Sequence, residues 1–489
     1  MKKSRIKQLL LGVLLMVLVL ASVIVLRTLA FRSEQIEASP AHPLVLDEAR
    51  VVQNLRRALQ IRTVSEQDPA RTSGEAFKQL HALLEASYPR VHATLKKQTV
   101  SEHSLLYRWA GKDPACKPIL LLAHLDVVPA EEGSPWVYPP FSGQFADGFI
   151  WGRGALDDKS SVMGILEACE ALLAEGFQPR RTIYLAFGHD EEIGGKNGAS
   201  QIAALLQSQG VKAEFCLDEG LAVLEGIVPG VSKPTAMIGI AEKGYLTVEL
   251  SVEGEGGHSS QPPRETMLGV LCAGVARLEA NPLPARLRGP ARQMLRTLGP
   301  EMSWPMRMVM ANLWLFEGLV NRRLQAGRTT NAALRTTTAV TILNAGTKEN
   351  ILPTRAAALV NCRLLPGESI ESVLDHIRRV VADDRIQVRI HGTPNAASPV
   401  ADVGSPTYVT LNKTIRQVFP EAVVAPGLVL GATDSRHYTH VSEVIYRFGP
   451  LKLTEKDMPR IHGPNERIGK EDYLRCVRFF GQLIRNAAS

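Results

Sequence analysis

The sequence predicts an α/β fold with a mainly parallel sheet, a small α+β unit inserted into it, and one transmembrane helix in front. Three observations predict this. Apolar strand-like runs alternate with helical patterns between Ile119 and Asp218, the order of a sheet wound with helices. After Ala241 the pattern changes to strand-helix-strand-strand-helix-strand, which matches a ferredoxin-like unit. Leu9 to Leu26 is an eighteen-residue run without a charge, the lower edge of what spans a bilayer as a helix. At 489 residues the chain exceeds what one hydrophobic core serves, so two domains are expected.

Taken in order, residues 1–8 form a basic tail with Lys2, Lys3, Arg5 and Lys7. Basic residues ahead of the apolar run 9–26 keep the N-terminus in the cytoplasm and place the rest outside it. The expectation is an uncleaved, membrane-anchoring helix; a secreted form cleaved after Thr28-Leu29-Ala30 is the alternative. Residues 27–46 read as a linker, with Ser33 to Pro43 polar and rich in Pro and Ala. Asp47 opens an amphipathic helix to about Gln60, with Ala49, Val52, Leu55 and Leu59 at helical spacing. A second helix is expected from Ser73 to Ala86. Residues 47–241 form the first part of the expected catalytic domain: strands at Ile119–Leu122, Thr182–Phe187 and Glu214–Leu217, helices at Val162–Leu173 and Ala199–Gln207.

Residues 242–395 form the inserted unit, with strands at Gly244–Glu253, Ala339–Leu343, Ala356–Leu364 and Ile386–Ile390, and helices at Leu268–Leu278 and Ile370–Val381. Between its first helix and second strand lies a further insert, residues 281–334, carrying Trp304, Met306, Met308, Met310, Trp314, Leu315 and Phe316. Such a stripe is ordinarily core; lining a path for an apolar substrate is the other reading. Residues 396–489 return to the first domain, with helices at Leu411–Val418 and Glu471–Asn486.

The net charge of +7 is modest and its basic residues are scattered, without a helix-turn-helix, finger or RNP-like pattern, so no nucleic acid partner is expected. The six cysteines form no CxxC pair, and most sit in apolar runs, which reads as buried free thiols. No GxSxG elbow is present, against serine hydrolysis.

The chemistry concentrates between Ile119 and Gly195. His124 and Asp126 follow an apolar run and, two apart, share a strand face. Asp157 and Asp158 sit in a Gly-rich turn before a helix, and Glu191 and Glu192 follow a strand. Any one of these pairs alone is ordinarily a surface pair or turn. Together, with Asp218 and His462, they set too many costly charges beside apolar runs for packing alone. Strand ends that deliver carboxylate and imidazole build a site at a sheet's carboxyl edge, and such ligands suit zinc or a similar ion.

HLDVV, GRGALDDK, GHDEEIGG, LDEG, GGHSSQPP, KENILP and HGPNE, in this order, resemble the di-zinc family of aminoacylase, glutamate carboxypeptidase, carnosinase and succinyl-diaminopimelate desuccinylase. The resemblance is strongest to the carboxypeptidase S and N-fatty-acyl-amino-acid synthase/hydrolase branch, and covers about Leu46 to Ala487. It implies a zinc-peptidase catalytic domain with a lid/dimerisation domain, and two Zn2+ ions, with Co2+ or Mn2+ able to stand in. Asp157 would bridge the ions; Glu192 and His462 would complete one, His124 and Asp218 the other. Glu191 would be the general base, and Asp126 is placed to accept from the second nitrogen of His124. His258 resembles the lid histidine that stabilises the oxyanion, and Asn350 a lid asparagine that contacts substrate. Arg436 is a candidate clamp for a free carboxylate, a salt bridge to Asp434 or Glu443 being the alternative. A cis peptide between Asp157 and Asp158 is implied as well.

The implied function is a metallopeptidase-type amidohydrolase or carboxypeptidase that cleaves peptides or N-acyl amino acids beside a free carboxylate. A dipeptidase or aminopeptidase of the same family is the first alternative, a non-catalytic zinc-binding protein the second. A homodimer through the lid is a further expectation, unless the 281–334 insert replaces the partner.

Overall fold

The computed structural model describes residues 2–68, 71–131 and 133–489, with side chains from residue 5 onward. Met1 of the expected basic tail lies outside it. An eight-stranded sheet forms the larger layer, in the spatial order Lys96–Val100, Ser104–Trp109, Ile183–Gly188, Ile119–His124, Phe215–Leu224, Ile445–Leu453, Thr235–Glu242, Val423–Val429. It is a mixed sheet, not a mainly parallel one. The central strands from Ile183–Gly188 to Ile445–Leu453 run parallel, while Lys96–Val100 and Ser104–Trp109 add antiparallel at one edge. Thr235–Glu242 pairs antiparallel with its neighbour Ile445–Leu453 and parallel with Val423–Val429.

Burial follows from composition. Ile119–His124 and Ile183–Gly188 are buried at every position, as near-continuous apolar strands must be when both faces are covered. The covering helices include Glu48–Gln60, Lys159–Ala174, Pro406–Val418 and Lys470–Ala488. Asp47 caps the first of these, its side chain accepting from the Arg50 N–H at 3.1 Å. Lys159–Ala174 is buried almost all round, and Gly164 leaves room for Cys476 Sγ of the last helix, which a Cβ would meet at 3.0 Å.

A second sheet has the order Thr337–Ala345, Arg355–Leu364, Gly244–Glu253, Gln387–Asn395, all antiparallel. Helices Met267–Ala280 and Ile370–Val381 pack on it around Leu246, Val248, Val360 and Ile377. The connectivity is strand-helix-strand-strand-helix-strand. The insert after its first helix folds into helices Gly289–Leu298, Trp304–Ala311, Leu313–Gln325 and Arg328–Leu334. Met306 and Met310 of the Met-aromatic stripe, half-buried, pack with Met302, Val231, Met237 and Val423 at the edge of the large sheet. That part of the stripe packs against the core.

At the N-terminus, Lys2–Ala30 is one helix, and Arg5–Ala30 is long and apolar enough to cross a membrane. All six cysteines are free; Cys169, Cys216, Cys362 and Cys476 are buried, Cys272 is exposed.

Candidate metal centre and active site

Three strand ends and two turns bring the site together. Ile119–His124 ends on His124, which is 1% exposed. Its Nε2 lies 2.8 Å from Asp157 Oδ1, and its Nδ1 lies 3.0 Å from the Asp126 carbonyl and 3.3 Å from Asp126 Oδ1. Asp126 is fully buried and holds the next turn in place. Its carboxylate accepts from the N–H groups of Glu191 at 3.1 Å and Glu192 at 3.2 Å, and from Ser65 Oγ at 2.6 Å. Asp126 therefore orients both the imidazole and the Glu191-Glu192 turn.

Asp157 stands between two imidazoles. Its Oδ2 lies 3.1 Å from His462 Nε2, which is also 3.1 Å from Glu192 Oε2. On the other side, His124 Nε2 is 3.7 Å from Glu219 Oε1. Two groups able to hold a cation result, His124 with Asp157 and Glu219, and Asp157 with Glu192 and His462, sharing Asp157. The Asp157–Asp158 peptide is cis.

Glu219, not Asp218, stands in the first group. The sequence reading ended the strand at Asp218, but Phe215–Leu224 runs on through ten residues. Successive side chains of a strand point to opposite faces, so the two acids part. Asp218 accepts from the Ser435 N–H at 2.7 Å and the Glu219 N–H at 3.0 Å. It anchors the Asp434–Tyr438 turn, while Glu219 faces His124.

Glu466 is the other acid that sequence reasoning passed over, although it closes the HGPNE motif. It is fully buried. Oε1 accepts from the N–H groups of Gly154, Leu156 and Asp157 at 3.0, 2.7 and 3.2 Å, and Oε2 pairs with Arg153 Nη1 at 2.6 Å. Arg153 Nη2 in turn donates to the His462 carbonyl at 2.9 Å. One buried ion pair thus ties the Asp157 turn to the His462 loop.

The electrostatics are those of a site with surplus negative charge. Burial pushes the carboxyls of Glu191, Glu219 and Asp434 well above the usual range, and the Asp157 charge adds to this for Glu219 and Glu191. Burial also raises Glu192, Asp218 and Glu466, and lifts Asp158 to about 8. The imidazoles respond. Burial alone would lower His124, but its bonds to Asp126 and Asp157 push it well up. His462 rises to about 10 through Asp157 and Glu192. Meanwhile Glu192 Oε1 is buried with no partner among the described residues. Crowded carboxylates, one with an unsatisfied buried oxygen, are the donor set a divalent cation would complete.

Beside this cluster opens a cleft of about 770 Å³, lined among others by Glu191, Glu192, Lys196, Arg363, Arg436 and His462. Arg436 makes no ion pair with Asp434 or Glu443; its Nη2 donates to the Gly194 carbonyl at 2.7 Å. Arg363, from the second sheet, stacks over Tyr245 with its guanidinium carbon 4.8 Å from the ring centre. Sequence reasoning missed Arg363, which lies mid-run in a strand. His258 and Asn350 are not among the residues lining this cleft. His258 is exposed, its Nδ1 2.7 Å from Ser260 Oγ, and the Asn350 carbonyl accepts from the Ser259 N–H at 3.1 Å. His258 and Asn350 thus lie on neighbouring segments.

Residues 120–486 match the profile of Peptidase family M20/M25/M40. The chain is 43% identical over 494 residues to "Probable carboxypeptidase S-like 2" of Dictyostelium discoideum, covering 99% of this chain and 94% of that one. It is 43% identical over 489 residues to "N-fatty-acyl-amino acid synthase/hydrolase PM20D1.1" of Danio rerio, covering 97% and 94%. Among solved structures it resembles human carnosine dipeptidase 1 with a TM-score of 0.62 at 15% identity, covering 90% and 96%, a likeness of fold. The chain belongs to Peptidase family M20/M25/M40 and is a hydrolase of peptide or amide bonds.

Proposed function

We propose that this hydrolase uses two zinc ions to cleave N-acyl amino acids, or peptides, at the amide next to a free carboxylate. The observation that carries the reading is Asp157, held between His124 and His462 with Glu219 and Glu192 closing the two sides. Asp157 would be shared by both ions, with Glu192 and His462 on one and His124 and Glu219 on the other. Bound there, the ions would polarise the amide carbonyl and ease ionisation of the attacking water.

The chain's own residues supply the rest. Glu191 takes the proton of the attacking water and passes it to the leaving nitrogen. Its burial holds the carboxyl high, which suits a group that must both accept and return a proton. Asp126 keeps Glu191 in place through its backbone N–H and fixes the tautomer of His124. Arg436 and Arg363 take the free carboxylate. With Lys196 they make the cleft cationic beyond Glu191 and Glu192, which favours a carboxylate end over the free amine an aminopeptidase or dipeptidase would require. An N-fatty-acyl amino acid meets this requirement.

Residues 242–395 are proposed to act as a lid and pairing unit on a catalytic unit made of 47–241 and 396–489. His258, with Nε2 free on an exposed loop, would serve the cleft of a second copy as the oxyanion donor, with Asn350 beside it. Residues 9–26 would anchor the chain, with the catalytic unit outside the cytoplasm. The test is turnover of an N-fatty-acyl amino acid against its carboxamide analogue, with zinc counted per chain. Two ions and a strong preference for the acid are expected. Equal turnover of both, or a requirement for a free amine, would overturn the reading.

A further inference from the structure

The helical insert 281–334 meets the N-terminal helix at one level. Asn312 Nδ2 reaches the Ile24 carbonyl at 3.2 Å and Thr28 Oγ1 at 3.3 Å, and Arg27 Nε donates to the Ala311 carbonyl at 3.3 Å. Thr28, one residue past Arg27, is buried by this contact at 1% exposure. The Phe31 ring sits against Gly299, where a Cβ would meet it at 2.5 Å, and Arg307 donates to the Phe31 carbonyl. Ile24 belongs to the last turn of the uncharged run that ends at Leu26. Eighteen residues of helix rise roughly 27 Å, about one hydrocarbon thickness. The insert is therefore clamped to the helix where an anchor would leave the bilayer.

Beside this clamp the insert presents an unpartnered apolar face. Trp304 is 55% exposed, Trp314 54%, Leu315 43% and Leu319 63%. In helix Leu313–Gln325 the buried arc is Leu313, Phe316, Val320 and Leu324, packed on Leu287, Leu295 and Leu334. The opposite arc carries Trp314, Gly318, Arg322, Leu315, Leu319 and Arg323, so the helix has a core face and a second, solvent-directed apolar face edged with arginine. Across 281–334 there are eight arginines, no lysine, and only Glu301 and Glu317 as acids. Arg322, Arg323 and Arg328 are exposed, and none forms an ion pair among the described residues. Exposed Trp and Leu flanked by free arginines are what binds in the headgroup region of an anionic leaflet.

We infer that the Trp304–Arg323 face of the insert lies in the headgroup region of an anionic lipid leaflet, beside the point where the N-terminal helix emerges. The inference rests on the anchor reading given above. The partner is the bilayer itself: Trp304, Trp314, Leu315 and Leu319 enter the boundary with the acyl chains, and Arg322, Arg323 and Arg328 meet phosphate. The clamp at Asn312 and Arg27 fixes the depth. The hydrolase body then sits at a set height and tilt, where a rigid-body swing about the residue 27–46 segment would otherwise be free.

The test uses the full chain in vesicles of phosphatidylcholine and phosphatidylglycerol, with bromine at shallow acyl positions as a quencher of tryptophan emission. Five tryptophans are present in the sequence, and Trp109 and Trp151 are buried. Wild-type emission should be quenched, and a W304F/W314F chain should lose at least half of that quenching. Arg322→Glu with Arg323→Glu should lessen it further as phosphatidylglycerol is raised. Carbonate extraction reports the anchor separately. A chain that resists extraction but shows equal emission with and without bromine overturns the inference and leaves the anchor standing. So does crosslinking of the Trp314 face to a second copy in place of quenching. A chain released by carbonate overturns both, and the extraction shows which failed first.

Discussion

Behind the site at the end of Ile119–His124, Asp126 and Glu466 are fully buried, and each carboxylate is held by at least three partners. At Gly257–His258, which pairs with Ile351–Leu352 in a separate two-stranded sheet, the imidazole is exposed and bonded only to its own loop. One region is organised before any substrate arrives. The other stands outside the cleft lining, with no partner beyond its own loop. Buried polar networks of the first kind are costly to disturb, whereas an exposed loop histidine costs little until it is used.

The largest effect expected is on Glu191. Glu191→Gln should keep both ions and lose turnover by about 10²–10⁴-fold; near-normal activity with full metal would sink its role and with it the claim that this edge is organised for chemistry. Next comes the support behind the site. Glu466→Ala strands the buried Arg153 and three N–H groups, and should cost roughly 3–5 kcal/mol, read as a lowered midpoint in urea. An unchanged midpoint would mean the edge is less interlocked than its contacts imply.

His258→Ala sharpens the contrast from the other side. It should leave folding stability and metal content unchanged and lower kcat about a hundredfold, the value of an oxyanion donor. Mixing that variant with Glu191→Gln should restore part of the activity if the histidine crosses to a second copy. No recovery, with subunit exchange shown separately, would place His258 outside the reaction or within its own chain. The smallest change is expected at Asp218. Asp218→Asn should retain two ions and cost about 1 kcal/mol from weakened hydrogen bonds, while Glu219→Gln should drop one ion from the same strand. The reverse pattern would return the ligand to Asp218.

Much of this was legible in the sequence. His124, Asp157, Glu192 and His462 converge as the motifs implied, because each closes or follows an apolar run that could only be a buried strand or helix. What was missed has identifiable causes. Glu219 went unnamed because the strand was read as ending at Asp218; in the fold the strand continues, and alternation turns Glu219 toward His124. Glu466 acts on backbone N–H groups, which leave no mark in a side-chain pattern. Strands Val423–Val429 and Ile445–Leu453 carry Pro426-Gly427 and Gly449-Pro450, residues that argue against a strand interior. The sheet tolerates them because register shifts fall at or beside both. The Met-aromatic stripe divides within the insert: Met306 and Met310 pack against the core, and Trp304 and Trp314 do not.

The place of Ile445–Leu453 in the sheet also bears on how the chain is made. It lies between Phe215–Leu224 and Thr235–Glu242, so two hundred residues after its neighbours are synthesised the sheet still lacks an interior strand. The last helix, Lys470–Ala488, then packs on Lys159–Ala174, and the Ala488 carbonyl accepts from the Arg180 N–H at 2.6 Å. During synthesis the first half therefore waits with an open, apolar strand edge, the condition under which chains aggregate or recruit chaperones. A ribosome stalled within the final twenty residues would release a chain bearing all five residues of the candidate metal site but missing the closing helix. Quality control for this enzyme is thus set by its C-terminus: a frameshift or proteolytic nick in the final twenty residues should be as damaging as one in the active site.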